Sequence, residues 1–332
     1  MLWEKMDGGR VHCYLCSHHC KISDGKRGIC AVRQNKDGIL YTLVYDKVIA
    51  RHVDPIEKKP LFHFHPGSQS YSIATPGCNF RCLHCQNADI SQMPTDVKAI
   101  MGEAVLPEDI VRAALKHNCK SISYTYTEPT IFFELAYDTA RLAHEAGLKN
   151  VFVTNGYITK EALTEIRPYL DAANIDLKGF QPEFYRKVCG AKLEHVLDAI
   201  RLYHEFGIWI ELTTLIIPGH NDGEEELRDI ARFIASVDPD IPWHVTQFHP
   251  TYKLLDLPRT PVETLRKARK VGLSEGIRYV YEGNVPGEGG ENTYCHECGE
   301  TLIARFGYIL SQYRVDGGRC GKCGAQIPGV GM

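Results

Sequence analysis

The sequence predicts an α/β protein built from repeated strand–helix units around a parallel sheet. Two observations lead there. Between Ser70 and Gly283, short runs rich in β-branched and aromatic residues alternate with amphipathic stretches. Helix-start signals also stand between those runs, where crossovers require them. The strand candidates in chain order are SYSIAT (70–75), SISYTYT (121–127), NVFVTN (150–155), AANIDL (172–177), WIELTTLII (209–217), WHVTQF (243–248) and RYVYEG (278–283). Pro107 opens a helix ahead of IVRAALKHN, and Pro129 opens another that Gly147 stops. Thr159 before Lys-Glu-Ala-Leu reads as an N-cap, and Asn221-Asp-Gly-Glu-Glu-Glu starts a helix with acids in its first turn. Six or more such units suit a partial or full TIM-type barrel, and a doubly wound open sheet shares the same periodicity.

The flanks differ in kind. Residues 1–37 carry four cysteines, 38–52 (GILYTLVYDKVIARH) read as two strands or a hairpin, and the last 40 residues carry four more cysteines in a segment too small for its own hydrophobic core. The expected division is a Cys-rich module with a hairpin over 1–66, the strand–helix core over 67–289, and a metal-dependent module over 290–332.

The 332 residues are 24% charged and 44% hydrophobic, with 38 basic against 41 acidic side chains and a net charge of −3. That balance excludes wholesale disorder and gives no whole-protein attraction to nucleic acid or anionic lipid. No run of about 18 uncharged apolar residues occurs, and the start lacks the pattern of a secretory signal, so a cytoplasmic protein without a membrane span is expected. The 13 cysteines cluster at 13, 16, 20 and 30, at 78, 82 and 85, and at 295, 298, 320 and 323, with Cys119 and Cys189 alone. In a reducing compartment such clusters point to metal or redox chemistry rather than disulfides.

Cys78-x3-Cys82-x2-Cys85 places three thiols within eight residues directly after a predicted strand. Three soft ligands on one tight loop can hold three corners of an iron–sulfur cube and leave the fourth iron open. A zinc site completed by His84 is the competing reading. The spacing, the strand before it and His84 ahead of the last cysteine resemble the radical S-adenosylmethionine (radical SAM) enzymes. That resemblance implies a partial (β/α)6 barrel, a 4Fe–4S cluster and a methionine moiety chelated to the open iron. It also implies reductive cleavage to a 5′-deoxyadenosyl radical that abstracts hydrogen from substrate.

Further motifs follow in the order the resemblance requires. Glu128 of Tyr-Thr-Glu-Pro stands where the family binds the methionine ammonium group. Thr154-Asn155-Gly156, Asp176-Leu-Lys178, Pro218-Gly219-His-Asn221-Asp222 and Glu282-Gly283-Asn284 resemble strand-end motifs of glycyl-radical-enzyme activases. They imply cofactor contacts by His84, Asn155, Asp176, Lys178 and Asn284. Val153 replaces the Asp of a cation site, and Thr213-Thr214 stand where an Arg is expected, so the resemblance to the activases proper is incomplete. Over the whole chain, including Asp54-Pro-Ile-Glu-Lys-Lys-Pro-Leu61, the sequence resembles the AmmeMemoRadiSam system radical SAM proteins. These are similar to pyruvate formate-lyase-activating enzymes, and the resemblance implies Memo-like and AMMECR-like partners and a flavodoxin- or ferredoxin-like electron donor.

At the C-terminus, Cys295-x2-Cys298-Gly and Cys320-x2-Cys323-Gly form two knuckles with 21 residues between them, the spacing of a four-cysteine zinc ribbon. Cys13-x2-Cys16-x3-Cys20-x9-Cys30 reads as a structural metal site, zinc or an auxiliary cluster. Cys119 and Cys189 read as inert thiols. Lys58-Lys59 and His63-Phe-His65 read either as a solvated charge pair and surface histidines or as reaching the cofactor or a partner, and His249 as a proton donor or substrate contact or as a packed histidine. The expectation is a radical SAM enzyme with an unidentified substrate, a macromolecule among the candidates. A glycyl-radical activase is one alternative. Another is a zinc-stabilised RNA- or protein-binding module using Arg305, Arg314, Arg319 and Lys322.

Overall fold

The computed structural model describes residues 1–332. Eight strands form the central sheet: β1 Ala50–Pro55, β2 Gln69–Ala74, β3 Ser121–Tyr124, β4 Lys149–Thr154, β5 Ala172–Asp176, β6 Trp209–Ile216, β7 Trp243–Gln247 and β8 Val280–Gly283. Strands β2 to β8 are parallel and lie in chain order across the sheet, and β1 pairs antiparallel with β2 at one edge. A doubly wound sheet reverses its order near the middle, and this one never does, so that alternative is removed.

The helices covering the sheet are α1 Pro107–Lys116, α2 Phe133–Glu145, α3 Lys160–Ile166, α4 Leu193–Glu205, α5 Glu224–Val237 and α6 Val262–Ser274. Their starts follow the local chemistry: the Thr159 hydroxyl accepts from Ala162 N at 3.3 Å, and Glu224 to Glu226 sit in the positive first turn of α5. No helix is long and apolar enough to cross a membrane.

The expected strand pair within 38–52 is redistributed. The hairpin joins Arg33–Lys36 to Ile39–Thr42, Lys47–Val48 pairs with Glu103–Ala104, and residues from Ala50 onward become the sheet edge β1. One large core spans the sheet, its helices and the N-terminal residues Val11, Leu15, Ile22 and Val32. The C-terminal strands Thr293–Tyr294, Thr301–Phe306 and Ile309–Tyr313 form a separate sheet, and the module around it has its own cluster of only six buried residues, Cys295, Leu302, Ile303, Val315, Cys320 and Ile327.

The segment after β1 plugs the N-terminal end of the sheet. Glu211 on β6 accepts from the backbone N–H of Phe62 at 3.0 Å and of His63 at 2.7 Å, and bonds His244 Nε2 at 2.7 Å. Asn174 Nδ2 donates to Pro60 O at 2.8 Å. Lys59 is buried against Asp54 at 2.6 Å, and His63 is fully buried, so neither is a surface residue. Arg305 from the C-terminal strand donates to Phe62 O at 2.9 Å and lies over the Phe62 ring. This removes Arg305 from any basic binding face.

Candidate active site at the strand C-terminal ends

In a parallel sheet every strand delivers its following loop to the same edge, and ligands bind there. The loop after β2 carries the cysteine triad. Gly77 adopts φ +110°, and a Cβ there would meet Val32 Cγ1 at 2.8 Å, so this position needs glycine for both backbone angle and space. The Phe80 N–H approaches Cys78 Sγ at 3.4 Å. Backbone bonds from Arg81 N to Cys189 O and from Leu83 N to Val188 O, each 2.9 Å, fasten the loop to the turn that Gly190 ends.

Each triad thiol has a distinct neighbour. Asn155 Nδ2 lies 3.8 Å from Cys78 Sγ and donates to Asn79 Oδ1 at 2.7 Å. Cys85 Sγ and Ser91 Oγ are 3.1 Å apart. The buried Cys189 thiol beside Cys82, with the nearby Lys178 ammonium, holds Cys82 below its usual range despite burial. Burial pushes the Cys78 thiol up, and the Glu128 carboxylate and the other two thiols push it further. These thiols therefore share one electrostatic site.

Glu128 follows β3 and is 2% exposed, so its charge must be met by donors. Its Oε1 accepts from Thr130 N at 3.0 Å, Thr130 Oγ1 at 2.5 Å and Thr154 Oγ1 at 2.8 Å, and its Oε2 from Asn155 N at 2.8 Å. Lys178 Nζ bonds Asp176 Oδ2 at 2.8 Å at the end of β5. His84 is buried with Nδ1 unpartnered and its ring stacked on Phe184, and burial pushes its pKa down to about 3. The structure thus gathers Cys78, Cys82, Cys85, Glu128, Asn155, Asp176 and Lys178 at one edge of the sheet, with His84 buried on the same loop. Asn284 stands apart at the end of β8, exposed and bonded to Gln247 O. Thr130, Thr154, Ser91 and Cys189 complete the site and carry no spacing signature that would mark them in the sequence.

The other two thiol sets differ from each other. Cys295, Cys298, Cys320 and Cys323 place their sulfurs within 4.8 Å of one another, with pairs at 3.6 and 3.8 Å. Backbone N–H groups, that of Cys323 first, draw the Cys320 thiol down to about 6. Cys13, Cys16, Cys20 and Cys30 instead wall a small cavity together with His18, Arg33 and apolar side chains.

Comparison with known proteins agrees with this geometry. The family model for the radical SAM superfamily matches residues 72–234, from within β2 to within α5. An uncharacterized protein of Methanocaldococcus jannaschii is 49% identical over 330 residues, covering 98% of each chain. A putative glycyl-radical enzyme activating enzyme of that organism is 25% identical over 210 residues, 62% of this chain and 78% of its own. The solved structure of a radical SAM methyltransferase from Sphaerobacter thermophilus shares the fold, with TM-score 0.52 and 15% identity over 67% of this chain and 68% of its own. With three thiols on the loop after the first parallel strand and a relative similar from end to end, the chain belongs to the radical SAM superfamily, whose members are enzymes.

Proposed function

We propose that this enzyme cleaves S-adenosylmethionine at a 4Fe–4S cluster held by Cys78, Cys82 and Cys85 and uses the resulting radical on a substrate at the C-terminal edge of the sheet. The observation that carries the reading is the charge balance of the site. Three thiols, Cys82 buried and Cys78 and Cys85 half-buried, stand with the carboxyls of Glu128 and Asp176, against the single ammonium of Lys178. Such a set needs added positive charge to ionise, and iron in a cluster supplies it. The cluster, when bound, provides the electron that breaks the sulfonium C–S bond and yields the 5′-deoxyadenosyl radical.

The remaining roles belong to the chain. Glu128 Oε2 takes only one donor from the protein, which leaves acceptor capacity for the methionine ammonium group. Asn155 holds the Asn79 turn beside Cys78, and Lys178 places positive charge by Cys82. His84 and Asp176 line the same loop-end region, and Asn284 is assigned to the nucleotide side. We read the sheet as an open partial barrel. The C-terminal sulfur pairs match the spacing of about 3.8 Å that tetrahedral zinc with Zn–S bonds of about 2.3 Å imposes, so that module is assigned as a zinc ribbon.

The end-to-end motif pattern supports placement with the AmmeMemoRadiSam proteins, with Memo-like and AMMECR-like partners and cytoplasmic residence. A glycyl-radical activase is the second reading, favoured by the activating-enzyme relative. Thr213 and Thr214 weigh against it. Their hydroxyls bond Asn174 Oδ1 and Leu177 O as packing groups, and no arginine stands there. For RNA binding by the C-terminal module the basic set is reduced, because Arg305 is buried and Arg314 and Lys322 both pair with Glu300, while Arg319 stays exposed without an acidic partner.

Anaerobic reconstitution with iron and sulfide tests the main reading. The reduced protein should give an electron paramagnetic resonance signal that changes with S-adenosylmethionine, and it should release 5′-deoxyadenosine. Both should vanish in the Cys78→Ala/Cys82→Ala/Cys85→Ala variant. Failure to assemble a SAM-responsive cluster with the triad intact overturns it.

A further inference from the structure

The N-terminal thiols are built for a larger guest than the C-terminal four. A single tetrahedral ion sets four sulfurs about 3.8 Å from one another, a spacing that two pairs of the C-terminal set match at 3.6 and 3.8 Å. The sulfurs of Cys13, Cys16, Cys20 and Cys30 do not gather within 4.8 Å of one another as the C-terminal four do. They surround a cavity of about 20 Å³, on a measure in which one water needs about 10–15 Å³. A cube places each thiolate on its own iron and so spreads the sulfurs more widely than one ion does.

The surroundings suit such a guest. The buried Leu15, Ile22 and Ile131 and the more exposed Ile29 line the cavity, while Arg33, buried and paired with Glu134, brings a fixed positive charge to its wall.

The site also abuts the triad loop through several independent contacts. His18, two residues after Cys16, bonds the carbonyl of Asn79, next to Cys78, at 2.8 Å. Arg81 Nη2 donates to Ile29 O at 3.0 Å. Gly77 faces Val32, the Cys30 carbonyl and Ile131, and Ile131 itself lines the cavity. A short path of bonds and one hydrogen bond therefore connects a ligand of one site to a ligand of the other.

We propose that Cys13, Cys16, Cys20 and Cys30 hold a second 4Fe–4S cluster, ligated at all four irons, that relays single electrons to the triad site. A reduced carrier protein of flavodoxin or ferredoxin type gives up one electron and the N-terminal cluster goes from the 2+ to the 1+ state. It returns to 2+ as the triad cluster is reduced from 2+ to 1+. No proton or leaving group is involved. The relay rests on the proposed triad cluster, whereas occupancy of the N-terminal site does not.

Metal analysis of the anaerobically reconstituted Cys78→Ala/Cys82→Ala/Cys85→Ala variant separates the two. The expected result is about four iron, about four sulfide and about one zinc per chain, with a reduced signal indifferent to S-adenosylmethionine. About two zinc and no iron overturns the assignment even where the intact protein cleaves S-adenosylmethionine. Freeze-quench resonance spectroscopy of the unaltered protein, mixed with less than one equivalent of reduced flavodoxin, tests the relay. The SAM-indifferent signal should rise first and decay as the SAM-responsive one grows, and the reverse order overturns the relay.

Discussion

Glu128 shows how far a residue's role can be read from its motif. Its place after the second parallel strand marks it as a candidate ligand for an ammonium group, but its contacts show that it first ties two strand ends together. Every protein group around its carboxylate is a donor, from Thr130, Thr154 and Asn155. Glu128→Gln keeps the size but turns an N–H toward one of those donors, leaving buried groups unpaired at a cost of about 1–3 kcal/mol. Urea denaturation of the metal-free protein should show this loss, separately from any effect on cofactor binding. An unchanged midpoint would show that the carboxylate is not a structural node. The triad is legible in the sequence because three cysteines in eight residues are rare and their spacing has a mechanism. Thr154, Ser91 and Cys189 are not, because a common residue gains its role only when distant segments meet. Cys189 in particular reads as inert, yet its thiol lies against Cys82.

At the scale of elements, the parallel strands are legible because burial on both faces selects near-continuous runs of β-branched, apolar and aromatic residues. All seven parallel strands fall where such runs occur, with end positions shifted by a few residues. The edge strand β1 and the plug behind it are not legible, since Asp54, Glu57, Lys58 and Lys59 look like a solvated turn. Lys58 does stay exposed, but Asp54 and Lys59 are buried through pairing across the segment: Lys59 and Lys58 reach Asp54 at 2.6 and 2.9 Å, and Tyr126 also donates to it. Burial alone would raise the Asp54 pKa, and these donors together hold it below its usual range instead. Burial in turn pushes Lys59 down to about 8. Removing one partner strands the other charge, so Asp54→Ala should cost about 3–5 kcal/mol. Asp54→Ala/Lys59→Met, which removes both charges, should recover a large part of that loss in the same denaturation assay. A double variant no more stable than Asp54→Ala would assign the cost to packing rather than to an uncompensated charge.

On the scale of the whole molecule, the plug is also the joint that docks the C-terminal module. The sequence marks that module as metal-dependent through its knuckle spacing, but nothing in it announces that Arg305 lies over Phe62 or that the end of the chain reaches back to His63. The His63 carbonyl accepts from Val330 N at 2.8 Å, and its side chain bridges Pro328 O at 2.7 Å and Tyr281 OH at 2.6 Å. A carbonyl only accepts, so Nδ1 carries the proton and Nε2 accepts from the tyrosine, which is the neutral ring. Burial pushes the His63 pKa down to about 4. Glu211 and the Pro328 carbonyl oppose that shift, and Arg305 and His244 add to it. The unfolded chain, with a histidine near its ordinary value of about 6.5, takes up a proton that the fold refuses. Stability from this residue is therefore level above about pH 6.5 and falls as pH drops toward 4, with about 2 kcal/mol lost by pH 5. His63→Gln can donate to Pro328 O and accept from Tyr281 OH without titrating. Its unfolding free energy should fall less than that of the unaltered chain between pH 7.5 and pH 5, by about that amount. Parallel profiles for the two proteins would show that the joint between sheet and C-terminal module does not sense pH through His63.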